Sequence, residues 1–92
     1  MLDRQSFIVN EDFIVEKFDN EILLYTEAEA KAVYLNDTAY IVWLLCKDGL
    51  TFGAMIDGLT EQYPDQRDQI RGDVMSSLES LLESGVIALN NE

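Results

Sequence analysis

An α+β fold is predicted, a three-stranded antiparallel sheet followed by three helices in a winged helix-turn-helix-like order. Two features of the residue pattern carry this. Before position 36, short β-branched and aromatic runs are broken by turn residues; after it, apolar residues recur at steps of three and four. The 92-residue length adds that there is room for one domain, over residues 1–92 with an ordered core from about Asp12 to Leu89.

The strands follow in order. Asp12–Phe18 is rich in β-branched and aromatic residues and is punctuated by Asp19–Asn20–Glu21. Ile22–Thr26 is its natural hairpin partner. Glu27–Ala30 would suit a helix alone, but between two strands it reads as a turn. Lys31–Leu35 then supplies a third strand, and the short connections make a meander with the second strand central.

From Asn36 the period changes. Asn36 or Asp37 can cap a helix over Thr38–Cys46 that is apolar nearly all round and so must be enclosed, with Trp43 its largest core contribution. Lys47–Asp48–Gly49 ends it. Thr51 caps a second helix whose stripe is Phe52, Met55, Ile56, Leu59 and Tyr63, and Pro64 closes it. A third helix opens at Asp65 or Asp68 and runs to about Ser84, with Ile70, Val74, Leu78, Leu81 and Leu82 on its apolar face. Gly85 stops it. Val86–Leu89 is an apolar tail that either packs on the core or adds a strand, and Asn90–Glu92 is expected to fray.

Composition excludes several functions. Six Lys+Arg against 18 Asp+Glu give a net charge of −12, a field that repels nucleic acid and anionic membrane; its natural counterpart is a cationic peptide or basic protein surface, the alternative being that the acidity only keeps a small protein soluble. The third helix would be the DNA-reading helix of a winged fold, yet it offers only Arg67 and Arg71 among Asp65, Asp68, Asp73, Glu79 and Glu83. No apolar run is long enough to span a bilayer and no export signal is read at the start, so a cytoplasmic location is expected. With no His, the usual general base and commonest metal ligand are missing, and a single Cys46 in an apolar stretch excludes a Cys-rich metal site. No Gly-rich run cradles phosphate, and no carboxylate pair has a revealing context. No catalytic residue, metal site or cofactor is expected, and the chain reads as a non-enzyme.

The residues Ile22–Tyr25, Tyr34–Leu35–Asn36–Asp37–Thr38–Ala39, Ile41–Leu45 and Asp48–Gly49–Leu50–Thr51 resemble the PqqD-like family, as do Tyr63, Asp73–Val74, Leu78, Leu81–Leu82 and Gly85–Ile87. The resemblance spans about Asp12 to Leu89. Its most specific part is Leu-Asn-x-Thr-Ala, the Trp-containing helix and the Asp-Gly turn. It implies a peptide chaperone, or recognition element, for ribosomally made and modified peptides. The family binds the leader of a precursor as an added strand on the third strand, in the groove beside the third helix. It presents that leader to a modifying enzyme, such as a radical S-adenosylmethionine enzyme, a leader protease or a cyclase. Quinone-cofactor members follow Leu-Leu-Tyr with Pro-Glu and reach Leu-Asn quickly. Here Thr26–Lys31 intervenes without proline, which implies service to another peptide class.

The residues support this mechanism in one respect: in a meander the third strand is an edge, and its unpaired N–H and C=O groups can accept an extended peptide. With the resemblance, peptide-binding residues are expected at Lys31, Ala32, Val33, Tyr34 and Leu35, and on the third helix at Ile70, Asp73, Val74, Ser77 and Leu81; the residues alone leave open that the strand is merely sheet and the helix face merely core. Alternation puts Lys31, Val33 and Leu35 on one face and Ala32 and Tyr34 on the other, without choosing which face is buried. Asp73 is either a partner for a leader Lys or Arg or a solvated helix-surface carboxylate. Tyr25, Tyr34 and Tyr63 are either peptide contacts or core-edge aromatics. The alternative function is a winged-helix protein–protein or dimerisation module; a free strand edge also permits a homodimer.

Overall fold

Asn36 and Thr51 show how directly the sequence sets the helix starts. The structure, a computed structural model, describes residues 2–90. These form β1 (Ser6–Val9), β2 (Ile14–Phe18), β3 (Glu21–Thr26), β4 (Lys31–Leu35), α1 (Asp37–Lys47), α2 (Phe52–Gln62), α3 (Arg67–Glu83) and β5 (Ile87–Asn90), with a 3-10 turn over Pro64–Gln66 ahead of α3. The Asn36 side chain accepts the Ala39 N–H at 2.7 Å, and Thr51 Oγ1 accepts that of Ala54 at 3.2 Å. Each satisfies one orphan donor of a first helical turn.

The helix ends are equally local. Gly49 and Gly85 adopt φ of 82° and 83°. After α1, Gly49 N–H donates to Cys46 C=O and Leu50 N–H to Leu45 C=O; after α3, Gly85 donates to Leu82 and Val86 to Leu81. Both are Schellman motifs, in which a left-handed residue turns the chain back and the next apolar residue packs on the helix it leaves. Val86 is accordingly fully buried.

The strand order is β2-β3-β4, all antiparallel, as expected for the meander. A two-stranded sheet, β1-β5, is added to it, with Phe7 opposite Leu89 and Val9 opposite Ile87. No element is predicted before Asp12, because four residues carry too little periodicity and their partner lies at the far end of the chain. The Val86–Leu89 tail takes the strand option. Asn90 ends that strand, while Asn91 and Glu92 lie outside the described residues. The N-terminal segment also closes the start of α2, where Phe52 and Gly53 N–H groups donate to the carbonyls of Gln5 and Asp3.

One core joins these parts. Leu24, Val42, Phe52, Met55, Ile56, Val74, Leu78, Leu81 and Val86 are all but inaccessible, with Phe7, Trp43 and Ile87 packed around them. Tyr63, expected on the buried stripe of α2, is instead 54% exposed: Pro64 ends the helix before it, and Tyr63 takes a non-helical conformation (φ −134°). The face of β4 left open above is also settled. Leu35 is buried and Val33 packs on the core, so Lys31, Val33 and Leu35 face the helices, while Tyr34 is 70% exposed on the other side.

Candidate functional site

The hairpins decide which backbone groups β4 leaves unpaired. β2 and β3 are joined by only Asp19 and Asn20, with Phe18 opposite Glu21 and Asp19 at φ 51°. A two-residue hairpin is closed by a hydrogen-bonded pair, and such pairs alternate along an antiparallel ladder. Glu21, Leu23 and Tyr25 thus direct their N–H and C=O groups to β2, and Ile22, Leu24 and Thr26 direct theirs to β4. Their partners there are Leu35, Val33 and Lys31. The groups of Ala32 and Tyr34 are left pointing away from the sheet, along an edge that no other strand of the described residues covers.

Beside this edge lies a hollow of about 200 Å³ between β4, the start of α1 and α3. Val33, Tyr34, Leu35, Asn36 and Ala39 form one side of it; Ser76, Ser77, Ser80 and Leu81 form the other. The α3 wall is low because three of its four residues are serines. Ser77 is buried, whereas Ser76 and Ser80 are exposed along the rim. An extended segment laid on the β4 edge would point alternate side chains into this hollow.

Lys31, at the start of β4, does not line this hollow but reaches the end of α3. Its Nζ donates to the carbonyl of Ser84, the residue capping α3. An ammonium there meets the negative end of the helix dipole and satisfies a terminal acceptor. Lys31 thereby ties the start of β4 to the end of α3.

The remaining expected site residues fall in a second hollow of about 240 Å³ further along α3. Ile70, Asp73 and Val74 meet Thr38 and Ile41 of α1, Leu59 of α2, Tyr63 and Gln66 there. The structure thus brings Val33, Tyr34, Leu35, Ser77 and Leu81 together and sets Ile70, Asp73 and Val74 apart on the same helix face. Ala32 does not line either hollow, and its backbone groups point off the sheet along the same edge. Residues not anticipated are Asn36, Ala39, Ser76 and Ser80 in the first hollow. The Ser76/Ser80 spacing of four was the available signal, since it puts both beside Ser77 on one side of a helix.

Chemistry elsewhere is spare. Cys46 is buried, and desolvation pushes its thiol up from 9.0 to about 12, so it stays protonated and unreactive at neutral pH. Among the described residues, no group of three or more His, Cys, Asp or Glu is placed to hold a metal ion, and no helix is long and apolar enough to cross a membrane.

Comparison with solved structures finds TbiB1 in complex with the TbiA(beta) leader peptide, at a TM-score of 0.70 and 16% identity, over 92% of this chain and 96% of that one. At that identity the likeness shows a shared fold. No curated protein matches the chain. The family model for coenzyme PQQ synthesis protein D (PqqD) matches residues 21–87, from β3 through the start of β5. That stretch holds both hollows, the free edge and the whole helical part, and by it the chain belongs to the PqqD family.

Proposed function

We propose that this protein is a non-catalytic adaptor that binds the leader of a ribosomally made precursor peptide by strand addition to β4 and presents it to a modifying enzyme. The observation that carries the reading is the coincidence of a free backbone edge at Ala32 and Tyr34 with a hollow along the same strand. Each main-chain bond to an added strand is worth about 0.5–1.5 kcal/mol net and makes little demand on sequence. Selectivity then comes from side chains seated between Val33 and Leu35 on one side and Ser77 and Leu81 on the other. Membership of the PqqD family and the shared fold of TbiB1, which was solved with a leader peptide, support the same reading.

The modifying enzyme is a radical S-adenosylmethionine enzyme, a leader protease or a cyclase, and the adaptor works in the cytoplasm. The absence of His from the chain and the unreactive Cys46 support an adaptor that leaves the chemistry to this partner. A tagged pull-down from the native host at low salt, read by mass spectrometry, should retain a short precursor peptide. Adding its synthetic leader should then shift the Ala32 and Tyr34 amide resonances together with those of Ser76, Ser77 and Ser80. Retention of DNA, or shifts confined to residues remote from β4, would refute the proposal.

A further inference from the structure

The side of the β2-β3-β4 sheet turned away from the helices is not a polar face. Across the strands it carries a row of Ile14, Tyr25 and Ala32 and a row of Glu16, Leu23 and Tyr34, with Phe18 and Glu21 at the hairpin end. Ile14, Phe18 and Tyr34 are 57%, 54% and 70% exposed. None is needed inside, because Val15, Ile22 and Val33 supply the opposite, core-facing side of the same sheet. Single exposed apolar residues are ordinary, but adjoining ones on one side of a sheet mark a contact surface.

Charge decides what covers it. Glu16 and Glu21 lie within the face, and the exposed Glu27 and Glu29 fill the turn beside it. A second copy of this chain would bring carboxylates against carboxylates between molecules that each carry −12. The complementary surface is apolar and rimmed by Lys and Arg. Position narrows it further: the face ends at β4, so a strand added there extends it and sets its own outward side chains beside Ala32 and Tyr34. A protein seated on this face would touch adaptor and leader at once.

We infer that this face docks the enzyme that modifies the precursor, through an apolar patch with a basic rim; the inference rests on the adaptor reading for the identity of that partner. The test uses the full chain, a fluorescent leader peptide, and the purified enzyme retained with the precursor in the pull-down. Phe18→Glu and Ile14→Glu, each checked for an unchanged urea midpoint, alter the face away from the β4 edge. Leader affinity should change less than twofold. Affinity for the enzyme should fall at least tenfold in both, and wild-type binding to the enzyme should weaken as salt is raised. Enzyme binding within twofold of wild type in both variants would overturn the inference. So would a wild-type dimer in sedimentation velocity that Phe18→Glu dissolves, because the face would then belong to a second copy. If the leader fails to bind the wild-type chain, the adaptor reading falls; the enzyme is then titrated without leader, and that result decides the face by itself.

Discussion

Proline substitution on β4 separates the fold from the binding edge. Val33 is paired through its backbone with Leu24 on the central strand, and Leu24 is fully buried. Val33→Pro deletes the N–H of that pair, losing a bond worth about 0.5–1.5 kcal/mol and leaving a carbonyl unpaired at about 1–3 kcal/mol. The sum is about 1.5–4.5 kcal/mol, a large share of the roughly 5–15 kcal/mol that holds a small domain together. Ala32→Pro removes an N–H that points off the sheet, so its cost to folding should stay below about 1 kcal/mol, as for prolines tolerated on edge strands. It should instead weaken leader binding by about 2- to 12-fold, the worth of one main-chain bond, and more where the ring obstructs the added strand. Urea unfolding followed by Trp43 fluorescence reads the first effect, and anisotropy of a labelled leader reads the second. Native stability for Val33→Pro would refute the register argument. A folded Ala32→Pro that binds leader like wild type would refute strand addition at this edge.

Other outcomes follow from single sites. Gly53→Ala should destabilise, because a Cβ there would lie 3.0 Å from the Asp3 carbonyl oxygen, whereas Gly72→Ala meets nothing within 4 Å and should gain about 0.5–1 kcal/mol of helix propensity; urea midpoints moving in the same direction would contradict this. Lys31→Met keeps the stem but removes the ammonium from the end of α3, so the midpoint should fall by an amount equivalent to about 1 kcal/mol; lost leader binding at unchanged stability would instead assign Lys31 to the peptide. Cys46 ionises near 12 in the folded chain against 9.0 ordinarily, so the native state favours the protonated thiol; its contribution is full below pH 9 and is lost as pH rises from 9 towards 12, by up to about 1.4 kcal/mol per unit. Alkylation at pH 8 should therefore proceed only as fast as the chain opens, and rapid labelling of the folded protein would show the thiol to be accessible.

What could be read in advance divides by the distance over which each signal acts. The cap at Asn36, the stops at Gly49 and Gly85 and the Lys31–Leu35 strand are stated by neighbouring residues, and the structure has them where the sequence places them. The β1-β5 pair was half visible: an apolar tail signalled one strand, but its partner is four residues joined to it only by tertiary pairing. The buried face of β4 was undecidable locally, since Val33 and Leu35 alternate with the equally apolar Ala32 and Tyr34. Docking on α1 and α3 breaks the tie. Helical spacing correctly put Ser77 and Leu81 on one stripe with Ile70 and Val74. That stripe crosses two hollows, because α1 starts beside Ser76 and Ser77 and then diverts the wall towards Ile41. Lys31 reads in the sequence as an expected peptide-binding residue of the strand, and its bond to the Ser84 carbonyl exists only once the start of β4 meets the end of α3.

The sheet has two unpaired edges, so an edge alone does not define a binding site. On β2, the ladder alternation sends the backbone groups of Val15 and Lys17 outward, and the Lys17 ammonium lies 4.6 Å from the centre of the Tyr40 ring. Charged side chains at Glu16 and Lys17 on a short strand are the ordinary means of discouraging strand addition. On β4 the outward groups belong to Ala32 and Tyr34, which bring neither charge nor branching at Cβ, and the inward residues Val33 and Leu35 are themselves a wall of the hollow. The opposite wall is kept low by Ser76, Ser77 and Ser80, at positions where leucines would have closed the space between strand and helix. Edge, hollow and low wall are each unremarkable alone. Their coincidence on β4, and not on β2, is the reason for proposing that edge as the seat of an extended peptide.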